Sequence, residues 1–409
     1  MVGVFMKKLV VNGEIIDLNS GDHYRGSVSI KKNIIESISH QRKTGVNTID
    51  ADDYFILPGF IDAHVHIMER GFKIEDRIET PLSLYFYNAL ENMRVTLNAG
   101  VTTVRDAGMA DFGVKIASLK GIIPAPRMQI SIIPLSITGG HFDLFMKSGF
   151  NIELKYPGLP SGVCDGIEGV TKKTREVLRA GADFIKIMAT GGVLSANDNP
   201  QDVQFTEKEL KCIVKEASFR GKKVMAHAHG LEGIKNCVKA GVDSIEHGTY
   251  IDRKTAAEMR EKGIYLVPTL LVTVELNKKF KENELPSYSR KDILEIAKVH
   301  KENIEVAYQE GVQLIMGTDS GVFDHGKNLK ELLHLCDIGM EPVEAIKSAT
   351  LDAARCIGWD GLGGLDKGKL ADIIIVKENP LDNIKSLSDP DNILLVVKDG
   401  KIFKNLLEE

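Results

Sequence analysis

The chain has 409 residues, of which 43% are hydrophobic and 27% charged, and its 52 basic against 57 acidic side chains leave a net charge of −5. That balance excludes the basic bias by which proteins hold nucleic acid or an anionic membrane, and the length allows one large core with a smaller companion. The five cysteines, Cys164, Cys212, Cys237, Cys336 and Cys356, form no Cys-X-X-Cys, so neither a thiolate zinc site nor a disulfide framework is expected and a reducing compartment fits.

The opening stretch from Met1 to Leu18 is interrupted by Lys7-Lys8 and Asn12-Gly13, which leaves no signal-peptide core. No apolar run approaches the ~20 residues needed to span a bilayer, so a cytoplasmic protein with no membrane partner is expected. Residues 9–16 read as two short strands turning at Asn12-Gly13, a strong hairpin signal. Short β-type runs continue to Pro58, and the same texture returns in Ala371 to Val376, Leu394 to Lys398 and Lys401 to Phe403. Neither end can hold a core alone. Residues 1–57 and 359–409 are therefore expected to pack as one small composite β-sandwich-like domain, with 58–358 inserted between them.

Within 58–358 short apolar strands alternate with amphipathic helices, the pattern of a parallel sheet covered by helices. Eight strands are expected: Phe60 to Ile67, Val101 to Ala107, Met128 to Leu135, Asp183 to Ala189, Lys223 to His229, Ser244 to His247, Tyr265 to Leu270 and Gln313 to Asp319. Eight such units indicate an α/β fold of the (β/α)8 barrel type. Thr206 and Glu209 fit a capping box at the start of one helix. Another, Lys291 to Tyr308, carries His300 in its apolar stripe, where packing is the expected role. The Gly- and Pro-rich excursion from Thr138 to Glu168 is expected to be an active-site loop.

In such barrels reactive groups gather at the C-terminal strand ends. Polar residues here fall at those ends: His64 and His66 after strand one, Lys186 in strand four, His227 and His229 in strand five, His247 in strand six and Asp319 in strand eight. His64 and His66 sit at i and i+2, so both rings leave one face of a strand as ready zinc ligands. Lys186, flanked by Phe184, Ile185, Ile187 and Met188, is costly as an ammonium in a barrel interior. Three fates are open to it: a Schiff base, a salt bridge, or capture of CO2 to give a carbamate that bridges two cations. Alternation cannot separate His227 from His229 as a ligand, because both face the same side.

These residues lie in Pro-Gly-Phe-Ile-Asp-Ala-His-Val-His from Pro58, Lys186-Ile-Met-Ala-Thr-Gly-Gly-Val, His227-Ala-His-Gly, Ile245-Glu-His-Gly-Thr, Gly317-Thr-Asp-Ser-Gly and Lys369-Leu-Ala-Asp-Ile. In these motifs the chain resembles the amidohydrolase superfamily, in the branch of imidazolonepropionase-like proteins and metal-dependent Xaa-Pro dipeptidases. The resemblance covers essentially the whole chain. It implies a distorted barrel with a composite β domain and two divalent metal ions, Zn2+ foremost, held by His64, His66, carboxylated Lys186, His227, His247 and Asp319. It also implies that His141 of Thr138-Gly-Gly-His141 reaches the scissile carbonyl, with His229 in substrate binding. Relatives of this kind often form homo-oligomers.

The expected reaction is hydrolysis of an amide by a metal-bridging hydroxide, with Asp319 passing the proton to the leaving amine. The expected substrates are dipeptides or N-acyl amino acids. The similarity of some members to Xaa-Arg and Xaa-Lys carboxypeptidases, and the loop acids Glu69, Glu75, Asp76, Asp143, Asp198, Asp202 and Asp324, direct the expectation to C-terminal Arg or Lys, with proline second. The rivals are a cyclic-amide hydrolase of the imidazolonepropionase or dihydroorotase kind and, in another class, a non-catalytic scaffold of the same fold.

Overall fold

Both ends of the chain enter one eight-stranded sheet. In this computed structural model the described residues are 4–5, 8–45, 47–71, 74–195, 198–282, 284–285 and 289–407, so Lys7 and the side chain of Glu75 lie outside them. The N-terminal strands are β1 (Val4–Phe5), β2 (Lys8–Asp17), β3 (Asp22–Lys31), β4 (Ile34–Ser39) and β5 (Thr48–Pro58). The barrel strands are β6 (Phe60–Val65), β7 (Val101–Asp106), β8 (Arg127–Ile130), β9 (Ile185–Met188), β10 (Val224–Ala228), β11 (Ser244–His247) and β12 (Tyr265–Val267). The chain closes with β13 (Ile373–Val376), β14 (Ile393–Lys398) and β15 (Lys401–Asn405).

The order β1-β15-β14-β13-β5-β2-β3-β4 joins the two ends through the antiparallel β5–β13 pair, in which Pro58 faces Ile373 and Phe55 faces Val376. Alternation then divides the sheet's side chains. Ile373, Ile375, Leu395 and Val397 join Leu9, Val11 and Ile56 in the domain's own core, while Ile374, Val376 and Val396 join the barrel core. The composite β domain is thus built on one continuous hydrogen-bonded strand order with apolar side chains on both faces.

The expected hairpin at Asn12-Gly13 does not form, because β2 runs straight through it and the turn falls at residues 18–21, with Gly21 at φ +77°. Tertiary contacts override the local signal. The Asn12 amide donates to Asp50 Oδ1 at 2.7 Å and to the Lys43 carbonyl at 3.0 Å. A Cβ at Gly13 would stand 2.8 Å from the Ala51 carbonyl, so glycine permits the close approach of β5.

Seven of the eight expected barrel strands form, in parallel ladders β6-β7-β8 and β9-β10-β11-β12. Isolated parallel bridges link the ladders: Leu135 with Ile187, Leu266 with Leu314 and Val65 with Ser320. The barrel is therefore distorted and does not close as one continuous sheet. The third strand stops at Ile130 because Ile132 turns to φ +67° and Pro134 follows. The eighth, Gln313 to Asp319, forms no ladder: Leu314 bridges Leu266, the adjoining Ser320 bridges Val65, and Asp319 lies between them at φ +61°.

The outer helices follow their apolar period. In Glu207–Ser218 the capping box is complete, with Glu209 N donating to Thr206 Oγ1 at 3.3 Å and Thr206 N to Glu209 Oε2 at 2.9 Å, and Leu210, Ile213 and Ala217 are buried. No helix among the described residues is long and apolar enough to cross a membrane.

Candidate active site

All eight expected residues come to one cleft: His64, His66, His141, Lys186, His227, His229, His247 and Asp319. The cleft opens to solvent and combines these polar groups with an apolar wall, the make-up of a small-molecule site.

Two groups of possible metal ligands stand in it. One ring nitrogen from each of His64 and His66 and a carboxylate oxygen of Asp319 lie within 4.8 Å of one another, and so do ring nitrogens of His227, His229 and His247. In the first group the Nε2 atoms of His64 and His66 stand 3.4 and 3.3 Å from the same oxygen, Asp319 Oδ1. The two groups adjoin, with the His64 and His247 ring centroids 5.2 Å apart. His247 and Asp319 both adopt left-handed backbone, at φ +71° and +61°, a strained state that the packing around them must hold.

Burial sets the protonation of the site. It holds the imidazoles of His64, His227, His229 and His247 well below their ordinary values, with nearby Lys186 adding to the effect, so they are neutral at pH 7. Neutral imidazole is the form that binds a metal, and a set of nitrogen and oxygen donors suits zinc or a similar divalent ion. His66 differs: burial would lower it, but its bond to Asp319 outweighs that and raises it. Burial brings the amine of Lys186 down to about 8, against the opposing charges of Glu246 and Asp319.

A set of supporting residues, which strand-end counting did not single out, orients these rings. His64 Nδ1 donates to Glu246 Oε2 at 2.8 Å, and Arg105 Nη2 and Ser244 Oγ hold the other oxygen of Glu246 at 3.1 and 2.6 Å. Thr249 and Thr269 lie 2.7 and 2.8 Å from the Nδ1 atoms of His229 and His247. His300, expected only to pack, donates from Nε2 to the His247 carbonyl at 2.9 Å and lines the cleft. Fixing a ligand ring through its second nitrogen is how proteins set its tautomer.

The Thr138 to Glu168 excursion delivers His141, whose ring stacks on His227 with centroids 4.7 Å apart. Its Nδ1 stands 3.6 Å from Asp198 Oδ2, and Gln204 bridges the two by accepting from His141 N at 2.9 Å and donating to Asp198 at 2.8 Å. A side chain at Gly192 would run into the His141 ring, so glycine is needed there.

A barrel whose rim carries two clusters of metal-competent ligands defines a metal-binding hydrolase architecture, and the family comparison agrees with it. The model of the amidohydrolase family matches residues 55–403, and the chain belongs to that family. Within it the chain falls in the branch of Xaa-Pro dipeptidase- and prolidase-like amidohydrolases and ochratoxinase. It is similar to ochratoxinase from Aspergillus niger, with 34% identity over 370 residues that cover 85% of this chain and 75% of the relative. The crystal structure of a Xaa-Pro dipeptidase with methionine bound in its active site superposes with a TM-score of 0.89 at 33% identity, over 97% of this chain and all of that one. A prolidase complexed with N-methylphosphonate-L-proline gives 0.90 at 31% identity, over 97% and 100% of the two chains.

Proposed function

We propose that this hydrolase cleaves the amide bond of dipeptides or N-acyl amino acids whose C-terminal residue is large and apolar, with two divalent metals and a carboxylated Lys186. The wall of the cleft carries the substrate class. Phe142, Leu144, Val193, Val272, Leu276 and Ile296 line it. Its only acids among the described residues are Asp319 and Asp143. Asp143 is engaged by its own loop, accepting from Gly139 N at 2.8 Å and Phe145 N at 3.2 Å.

The preference for Arg or Lys needs an unengaged carboxylate facing the substrate. Glu69 meets Arg77, Asp198 meets Gln204, Asp202 meets Asn199, and Asp324 is an exposed partner of Lys327. An apolar terminal residue agrees with the methionine held by the similar dipeptidase. Proline is the second reading, favoured by the proline phosphonate in the similar prolidase.

Lys186 supports the two-metal reading through its surroundings. Glu246 is engaged by Arg105 and His64, and Asp319 by His66. With those acids committed, carboxylation gives the amine an anionic form: neutral Nζ attacks the carbon of dissolved CO2, an N–C bond forms as one C=O π bond opens onto its oxygen, the amine proton leaves to solvent, and the product offers two oxygens. His64, His66 and Asp319 would hold one metal and His227 and His247 the other, with the carbamate shared. When bound, the metals supply Lewis acidity and lower the pKa of bound water to roughly 7.

The chain's own residues do the remaining work. Asp319 takes the proton of the attacking water and returns it to the leaving amine. His141, backed by Asp198, donates to the carbonyl oxygen as negative charge develops there. His229, oriented by Thr249, faces the substrate. Comparing kcat/KM on Ala-Met, Ala-Arg and Ala-Pro with zinc-loaded protein tests the reading. Ala-Met is expected to lead by at least ~10-fold, within the range that apolar pocket contacts supply. A lead for Ala-Arg would overturn it.

A further inference from the structure

The cleft carries one fixed cation that the chemistry above does not use. Among its described lining residues only Lys186 and Arg77 are lysine or arginine, and Lys186 belongs to the ligand centre. Arg77 lies in the helix Ile74–Glu79, which follows the strand end bearing His64 and His66. Its side chain is only 7% exposed, and its partner Glu69 only 3%. Arg77 Nη2 donates to Glu69 Oε1 at 2.7 Å. Glu69 is itself tied to the site, since its backbone N–H donates to the His66 carbonyl at 3.1 Å and its own carbonyl accepts from Asn92 at 3.1 Å. The guanidinium is thus braced, through two short links, against the backbone that carries two of the expected metal ligands.

A withdrawn ion pair is seldom the most stable filling for such a place, because desolvation offsets much of the attraction and apolar side chains of similar volume often do as well. The pair makes chemical sense if the arginine meets an anion. A terminal carboxylate entering an apolar cleft loses its water and needs charged donors in exchange. A planar guanidinium is the side chain suited to it. We infer that Arg77 anchors the C-terminal carboxylate of the substrate, with Glu69 as the residue that positions it. This rests on the amino acid substrate proposed above and adds the group that reads it: the amide at the histidines, the side chain on the apolar wall, the carboxylate at Arg77.

Calorimetric binding of L-phenylalanine and of phenethylamine, the same molecule without its carboxylate, tests the anchor without requiring turnover. Zinc-loaded wild type is compared with R77K and with E69Q/R77M, in which no charge of the pair is left buried alone. Charge-assisted hydrogen bonds contribute about 1.5–3 kcal/mol, so wild type should favour L-phenylalanine by ~10–100-fold, E69Q/R77M by less than about threefold, and R77K by an intermediate factor. An unchanged ratio in E69Q/R77M, or no preference in wild type, overturns the anchor. Retained discrimination by wild type and its loss in E69Q/R77M, together with no hydrolysis of Ala-Met, would sink the amide-hydrolase reading and leave the anchor standing.

Discussion

Glu246 and His64 form a buried carboxylate–imidazole pair, with Oε2 2.8 Å from Nδ1 and side-chain exposures of 0% and 1%. Because Nδ1 carries the proton donated to Glu246, the nitrogen left with a free lone pair is Nε2, the one turned to Asp319. A histidine so held presents a fixed ligand atom. It loses little rotational freedom when a cation arrives, and the carboxylate makes the ring more basic.

Replacing Glu246 by Gln should therefore weaken metal retention by ~10–100-fold, the usual consequence of removing such a partner. Competition against a graded chelator, with metal content read by atomic emission, measures it. Glu246→Ala should in addition destabilise the fold by about 3–5 kcal/mol, because Arg105 keeps a buried charge with its carboxylate gone. Equal metal affinity in wild type and Glu246→Gln would reduce Glu246 to a packing role.

Lys186→Ala should lower bound metal below two per chain and cut kcat by at least ~10²-fold, since the shared anion and the charge compensation it brings are both lost. A small carboxylate such as propionate offers the same two-oxygen anion. It should restore part of the activity to Lys186→Ala and none to wild type. Growth with 13C-bicarbonate should give wild type a carbamate carbonyl resonance that the variant lacks. Full activity and two metals in the variant would end the carbamate assignment.

His141 is expected to act on developing charge, so His141→Ala should cost ~10²–10³ in kcat, the range for losing one oxyanion donor. Asp198→Asn keeps the ring and alters the groups behind it, the Gly192 N–H and Gln204 amide included, and should cost less, with KM changed little. If Asp198→Asn raised KM and left kcat alone, the loop would be reading substrate rather than transition state.

The rim was legible because polar residues stand out inside apolar strands: Lys186 between isoleucines and His64 and His66 at i and i+2 needed only strand alternation. What supports the rim was not legible. Glu246 is one residue from His247, so alternation assigns it to the opposite face, yet His247 leaves the strand at φ +71° and Glu246 remains turned to His64. Arg105, 42 positions from the Ala63 carbonyl to which it donates and 141 from Glu246, is joined to them only by the fold. Asn12-Gly13 misled for the same reason in reverse, since its buried bonds to Asp50 and Lys43 come from another strand and another loop. The signal that could have found Arg105 and Glu246 is the cost of a charge inside a barrel strand, the criterion that found Lys186.

The seam between barrel and β domain supplies a prediction of opposite character, about stability alone. Arg127, at the start of β8, grips Asp372 with Nη1 to Oδ2 at 2.6 Å and Nη2 to Oδ1 at 3.2 Å, and reaches Asp399 at 2.5 Å. Burial by itself would raise the Asp372 carboxyl, but the charge and hydrogen bonds of Arg127 outweigh it and hold the group below its ordinary value. The folded chain thus binds fewer protons here than the unfolded one. The pair's contribution is complete above the unfolded value of about 3.9 and is lost as pH falls through the lower, folded value. At pH 7 Asp372→Asn should be about 3–5 kcal/mol less stable than wild type, since it leaves Asp399 as the one carboxylate hydrogen-bonded to Arg127. Urea unfolding at pH 7, 4 and 3 should show that difference shrinking towards the acid end. A gap of constant size at all three would mean that Asp372 stabilises the seam by shape, with its charge irrelevant.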